Sequence, residues 1–205
     1  MSEGPYESLN LGILTDDDRS RVERNRALLA EAVGLEVAMG LQVHGTDIKE
    51  WADFSKGSDP LEKVDGHITT REGLALLVLV ADCLPVALAL PGQVAMVHCG
   101  WRGLADGILA RAVERFDQPP AAAVGPGIGW CCYEVGDEVR SRFDPQFADG
   151  RMLDLRAVAD HLLQAAGVER IEHVDLCTSC RPDLFFSHRR DGGVTGRQGG
   201  LVWLA

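Results

Sequence analysis

Apolar positions along this chain fall into two arrangements: short unbroken runs bounded by Gly and Pro, and longer stretches where they recur every three or four residues. Residues 74–80, LALLVLV, are the clearest run. Rich in Leu and Val and too short for a typical buried helix, they predict a strand covered on both faces. Pro85 and Pro91-Gly92 punctuate a second run at 86–90, and the turn after it predicts a returning strand over 93–98. Cys99-Gly100-Trp101-Arg102-Gly103 then reads as a tight glycine-flanked loop. Beyond it Leu104, Ile108, Leu109, Ala112, Val113 and Phe116 recur at helical spacing.

The same reading extends to both ends. A Leu-rich run at 9–14 predicts a strand, and Thr15-Asp16-Asp17-Asp18 resembles a capping box opening a helix that Gly34 stops. Another apolar run covers 36–43. Residues 47–63 are polar, carry Trp51 and Phe54, and predict an exposed edge hairpin or loop. Val64-Asp65-Gly66-His67-Ile68-Thr69 reads as a turn into a short strand, with His67 structural. An apolar strand over 121–129 runs into Gly125-Pro126-Gly127-Ile128-Gly129, whose glycines suit either close approach to a ligand or a bare turn. Helices follow at 134–143, through Val135, Val139 and Phe143, and at 154–166, through Leu155, Ala159, Leu162 and Leu163. Strands at 171–176 and 200–204 close the chain. No linker, repeat or low-complexity tract divides it, which predicts a single domain over 1–205.

Composition narrows the partners. With 46% hydrophobic residues in 205, the chain can bury a full core. A net charge of −11 argues against nucleic acid and anionic membranes, which would repel it. No apolar run reaches membrane-spanning length, and the start MSEGPYESLN lacks the basic and apolar regions of a signal peptide, so a cytoplasmic protein is expected. In that setting six cysteines are expected to be free, metal-bound or catalytic.

Chemistry concentrates where the strands end. Cys83 leaves one strand and His98 ends another, a pair that suits metal binding or a nucleophile with its base. A catalytic zinc takes three protein ligands, and His44, in Leu41-Gln42-Val43-His44-Gly45-Thr46, is the best third candidate. Asp82 suits either of two roles, orienting a ligand histidine or satisfying backbone donors. Cys177-Thr178-Ser179-Cys180 with Cys131-Cys132 could supply four thiolates, yet the adjacent pair departs from the usual spacing of structural zinc sites. Small packed or pocket-lining thiols are the expectation there. Arg189, Arg190 and Arg197 concentrate positive charge among glycines, an arrangement suited to phosphate or to bridging nearby carboxylates.

The segments LQVHGTDI, DGHITTREGLALLVLVADCLPVAL, VAMVHCGWRGLADGIL, GPGIGWCCYEVGDEV and LCTSCRPDLFFSHRRDGGVTGRQ, with the closing LVWL, resemble the bacterial YfiH-type family, whose names are polyphenol oxidase (laccase-like) and purine nucleoside phosphorylase. The resemblance implies an α+β fold of four layers, α/β/β/α, with mixed sheets. It implies one zinc on His44, Cys83 and His98, with copper also possible. It implies phosphorolysis of purine nucleosides (adenosine, inosine, guanosine, methylthioadenosine) with inorganic phosphate, and adenosine deamination. Asn10 lies in the family's SLNLG signature and, with Arg189, Arg190 and Arg197, is a candidate for substrate or phosphate. The family's usual N-terminal strand and Arg-x-Gly-Gly turn are missing before Gly4-Pro5-Tyr6. Three other readings stay open: an amide hydrolase using Cys83 and His98, a copper-binding phenol oxidoreductase, and a structural zinc module with Cys99 as fourth ligand. The six histidines, with no His-x-His pair, are too few for a multicopper oxidase.

Overall fold

A computed structural model describes residues 1–52 and 62–205. Its elements are α1 (Arg19–Val33), β1 (Glu36–Ala38), β2 (Ile48–Glu50), β3 (Gly66–Thr69), β4 (Leu74–Val80), β5 (Leu84–Leu90), β6 (Gln93–Cys99), α2 (Trp101–Ala105), α3 (Ile108–Val113), β7 (Ala121–Val124), α4 (Asp137–Arg140), β8 (Ala148–Asp149), β9 (Met152–Leu153), α5 (Leu155–Ala165), β10 (Ile171–His173) and β11 (Gln198–Val202). Two mixed sheets dominate: a three-stranded one ordered β1-β4-β11 and a six-stranded one ordered β10-β7-β5-β6-β3-β2.

Side chains alternate across a strand, and that alternation builds the layers. Leu74, Leu76, Val78 and Val80 of β4 pack with Val94 and Met96 of β6, Ala38 and Trp51 in one cluster between the sheets. From the opposite face of the larger sheet, Val86, Leu88, Ala95 and Val97 pack on Leu104, Ile108, Leu109, Ala112, Val158, Ala159 and Leu163 of α2, α3 and α5. α1 lies on the outer side of the smaller sheet, where its Leu29 lines a groove with Gly199 and Leu201 of β11. The order of layers is therefore helix, small sheet, large sheet, helices, an α+β architecture of mixed sheets. Leu76 and Leu88 are fully buried, and truncating either to Ala would cost about 2–5 kcal/mol.

Several expected elements take a different form. Residues 9–14 form no strand, because buried Asn10 uses its side-chain oxygen to accept from the Gly12 and Arg197 amides instead of leaving the segment to a ladder. The stretch 36–43 is strand only through Ala38. The 99–103 loop is instead strand end and helix start, since α2 begins at Trp101, and the helix after it breaks at Gly107, which has φ +89°. The strand expected over 121–129 stops at Val124, and the helix over 134–143 shrinks to α4. β2 supplies an edge strand within 47–63, while Phe54 and residues 53–61 lie outside the described residues. The helix ends as expected, with Gly34 in the left-handed region, but it opens later than the Thr15–Asp18 capping box implied: Asp18 is itself the cap, accepting from the Ser20 amide, while the Thr15 hydroxyl donates to the Gly12 carbonyl. Among the described residues no helix is long and apolar enough to cross a membrane.

Candidate metal centre

β4 belongs to the small sheet and β5 to the large one, so the chain changes sheets across Ala81-Asp82-Cys83. The thiol of Cys83 hangs at this crossover. Antiparallel pairing sets Pro85 opposite His98, which brings the imidazole to the same sheet end. His44 arrives from the loop after β1, which the Gln42 amide group clips to β4 by donating to the Leu79 carbonyl and accepting from its N–H. The donor atoms of His44, Cys83 and His98 all lie within 4.8 Å of one another. Cys83 Sγ is 3.9 Å from His44 Nε2, and the two imidazoles meet edge to face at 4.8 Å between ring centroids. Ligands on one tetrahedral zinc lie roughly 3.5 Å apart, so a small contraction closes the set on an ion. Gly100 permits the approach: a Cβ there would sit 2.8 Å from His44 Cδ2 and 3.1 Å from Cys83 Sγ.

One carboxylate organises both histidines. Asp65, fully buried at the start of β3, accepts from His98 Nδ1 at 2.7 Å. The same group accepts from the successive amides of Val43, His44 and Gly45 at 3.0, 2.9 and 2.8 Å. Those bonds hold His44 at φ +60°, a left-handed backbone uncommon for a residue with a side chain. With Nδ1 engaged, His98 has Nε2 left for the cluster, and its orientation is set as in metal-bound histidines backed by a carboxylate.

The electrostatics suit a thiolate. Burial alone would push the Cys83 thiol up, but the charge of His98 and hydrogen bonds from His44 and His98 bring it down to about 6. Burial would likewise push His98 down, yet Cys83 and Asp65 raise it to about 9. Without an ion the pair is a thiolate beside an imidazolium. Cys99 points into the helical side of the core and joins no metal-type cluster among the described residues.

The other candidates separate. Asn10 is fully buried, with its amide nitrogen donating to Thr15 and Asp17. Arg190 pairs with Asp191 and donates to the carbonyls of Thr178 and Phe185, and Arg197 donates to those of Thr195 and Gly196. Arg189 is exposed and lies over the Tyr133 ring, 5.2 Å from its centroid. Burial, then the charge of Cys83, raises the Tyr133 phenol to about 12. Asp82 takes the backbone-satisfying role, accepting from the Arg189 amide at 2.7 Å and from the Thr178 hydroxyl at 2.6 Å. Sequence reasoning missed Asp65 and Tyr133. An aspartate after Val64 carries no local sign of a partner 33 residues away.

The four thiols expected to be small packed or pocket-lining groups gather in one cluster: the sulfurs of Cys131, Cys132, Cys177 and Cys180 lie within 4.8 Å of one another.

A mixed α/β fold with two histidines and one cysteine converging at a sheet crossover defines a protein with a candidate His2Cys metal site. The chain belongs to the YfiH-type family, whose sequence profile, described as multi-copper polyphenol oxidoreductase laccase, matches residues 1–205. Purine nucleoside phosphorylase YlmD of Geobacillus stearothermophilus is 37% identical over 229 residues, covering 96% of this chain and 83% of that protein. Purine nucleoside phosphorylase YfiH of Escherichia coli is 36% identical, covering 100% of this chain and 89% of its own. The crystal structure of Neisseria meningitidis protein NMB0706 superposes with a TM-score of 0.91 at 34% identity, covering 100% of this chain and 89% of that one.

Proposed function

We propose that this protein is a metal-dependent purine nucleoside phosphorylase that also deaminates adenosine, with His44, Cys83 and His98 holding zinc and copper as the alternative occupant. The observation that carries the reading is the convergence of these three donors with Asp65 behind His98, and the names of the relatives support the substrate class. Three protein ligands leave one position for a reactant. A divalent ion bound there supplies Lewis acidity.

The chain's own groups handle the substrates. In phosphorolysis a phosphate oxygen bonds to the ribose anomeric carbon as the bond to the purine nitrogen breaks. The base leaves with the bonding pair and takes the proton of hydrogenphosphate. Arg189, exposed over the Tyr133 ring, offers its planar fork to the phosphate. Tyr133, kept protonated near neutrality, offers a hydroxyl donor and a ring face. In deamination water replaces the amino group of adenine and ammonia leaves. Phosphate-dependent release of hypoxanthine from inosine, measured with metal content on wild type and on His44→Ala, Cys83→Ala and His98→Ala, tests the assignment. Metal and turnover are expected to fall together, and variants that keep both would overturn it.

The thiolate–imidazolium pairing favours one second reading, an amide hydrolase with Cys83 as nucleophile and His98 as its base. Activity that survives metal stripping and dies on alkylation of Cys83 would select it.

A further inference from the structure

The second sulfur cluster lies outside the centre described above and is built from two turns. In the first, the amides of Cys132 and Tyr133 both donate to the Gly129 carbonyl, at 3.0 and 3.1 Å, and curl the chain. This curl overcomes the adjacency of Cys131 and Cys132: their sulfurs stand 3.7 and 3.4 Å from Cys180 Sγ. In the second turn, the Cys177 sulfur accepts from the Gly129 amide at 3.2 Å, which ties the two turns together. Gly129 is needed where the turns meet, because a Cβ would lie 3.2 Å from Cys177 Cβ and 3.3 Å from Cys131 Sγ.

The spacing matches coordination and not a covalent bond. Four sulfurs at 2.3 Å from one ion at tetrahedral angles lie about 3.8 Å apart, and the contacts here are 3.4 and 3.7 Å with all four inside 4.8 Å. A disulfide needs about 2.05 Å, and all four cysteines are free. Among the described residues no histidine or carboxylate belongs to the group. Four soft thiolates select zinc over the hard cations.

We infer that Cys131, Cys132, Cys177 and Cys180 form a closed four-thiolate zinc site, distinct from the His44–Cys83–His98 centre. Its role is positional. It staples the turn that carries Tyr133 and Glu134 to the turn that carries Thr178. Thr178 bonds Asp82, next to Cys83, and its carbonyl accepts from Arg190, while the Glu134 carbonyl accepts from Arg189. The ion thus fixes the wall that faces the candidate active centre. With four protein ligands it has no position for substrate.

Zinc per chain in protein purified under reductant tests the site. His98→Ala is used to weaken the first centre, and the double variant Cys177→Ser/Cys180→Ser to remove the second. The double variant is expected to lose one zinc equivalent relative to wild type, and His98→Ala to keep that equivalent. Should the double variant fail to fold, cobalt(II) titrated into metal-stripped His98→Ala protein decides, with intense sulfur-to-cobalt charge-transfer bands expected. Unchanged zinc in the double variant, absence of those bands, iron in place of zinc, or a disulfide among the four in reduced protein would overturn the inference. None of these readouts depends on nucleoside turnover, so the two assignments stand or fall separately.

Discussion

The two donor clusters answer the same problem of gathering distant ligands in opposite ways. The His44–Cys83–His98 centre sits at a sheet crossover, and its geometry is imposed from behind by buried Asp65. The four-cysteine cluster lies at the surface, with Cys131 and Cys180 exposed, and is shaped by its own turns. Two neutral imidazoles and one thiolate leave a bound zinc net positive and open, attractive to phosphate, whereas four thiolates leave it net negative and closed. Chemistry is expected from the first and rigidity from the second.

The sharpest way to break this contrast is at the open centre. His98→Ala is expected to lower kcat/KM for inosine phosphorolysis by about 10³-fold, a loss of roughly 4 kcal/mol of transition-state stabilisation. Steady-state kinetics at saturating phosphate measure it. A loss of that size from Cys132→Ser instead would erase the division between chemistry and rigidity.

A smaller effect separates a donor histidine from a packed one. His67 is fully buried on β3, accepts from Trp51 Nε1 at 3.1 Å, and is pushed down to about 4 by burial. Unfolded, it titrates near 6.5, so in acid the unfolded chain gains a proton that the folded chain refuses. Stability is therefore whole above about 6.5 and is lost as pH falls toward 4, by about 3 kcal/mol on this residue's account. Urea unfolding between those pH values checks this, and His67→Gln, which keeps an acceptor for Trp51, is expected to flatten the slope.

Asp65→Asn is expected next, with metal affinity or activity falling about 10–100-fold as His98 loses its anionic partner. Equilibrium zinc competition measures it, and unchanged affinity would mean that the crossover alone shapes the centre. The smallest expected effect is at the wall. Arg189→Ala should raise KM for phosphate about 10-fold with kcat little changed, the mark of lost uniform binding. A fall in kcat alone would give Arg189 a different role.

The sequence was most informative where structure is local. The apolar run at 74–80 became β4 over the same residues, and Asp18 and Gly34 bound α1 as capping chemistry requires. The helix after His98 was legible in its spacing, but not the break at Gly107. His44, Cys83 and His98 could be chosen because each ends or follows an apolar run, a pattern visible one strand at a time.

Partnership was not legible. Asp82 and Asp65 look alike as aspartates beside candidate strands, and only Asp82, next to Cys83, stands out as a candidate to orient a histidine or to satisfy backbone donors. Pairing of β3 with β6 gives that role to Asp65 and turns Asp82 toward Thr178 and Arg189, 96 and 107 residues away. The adjacent Cys131-Cys132 argued against a common ion until a turn brought both sulfurs to Cys180. Residue order determined the strands, the caps and the available donors, because apolar periodicity and backbone preference act within a few residues. Which donors share a site was decided only by the tertiary structure, because a carboxylate or sulfur finds its partner through strands and turns that pair across the whole chain.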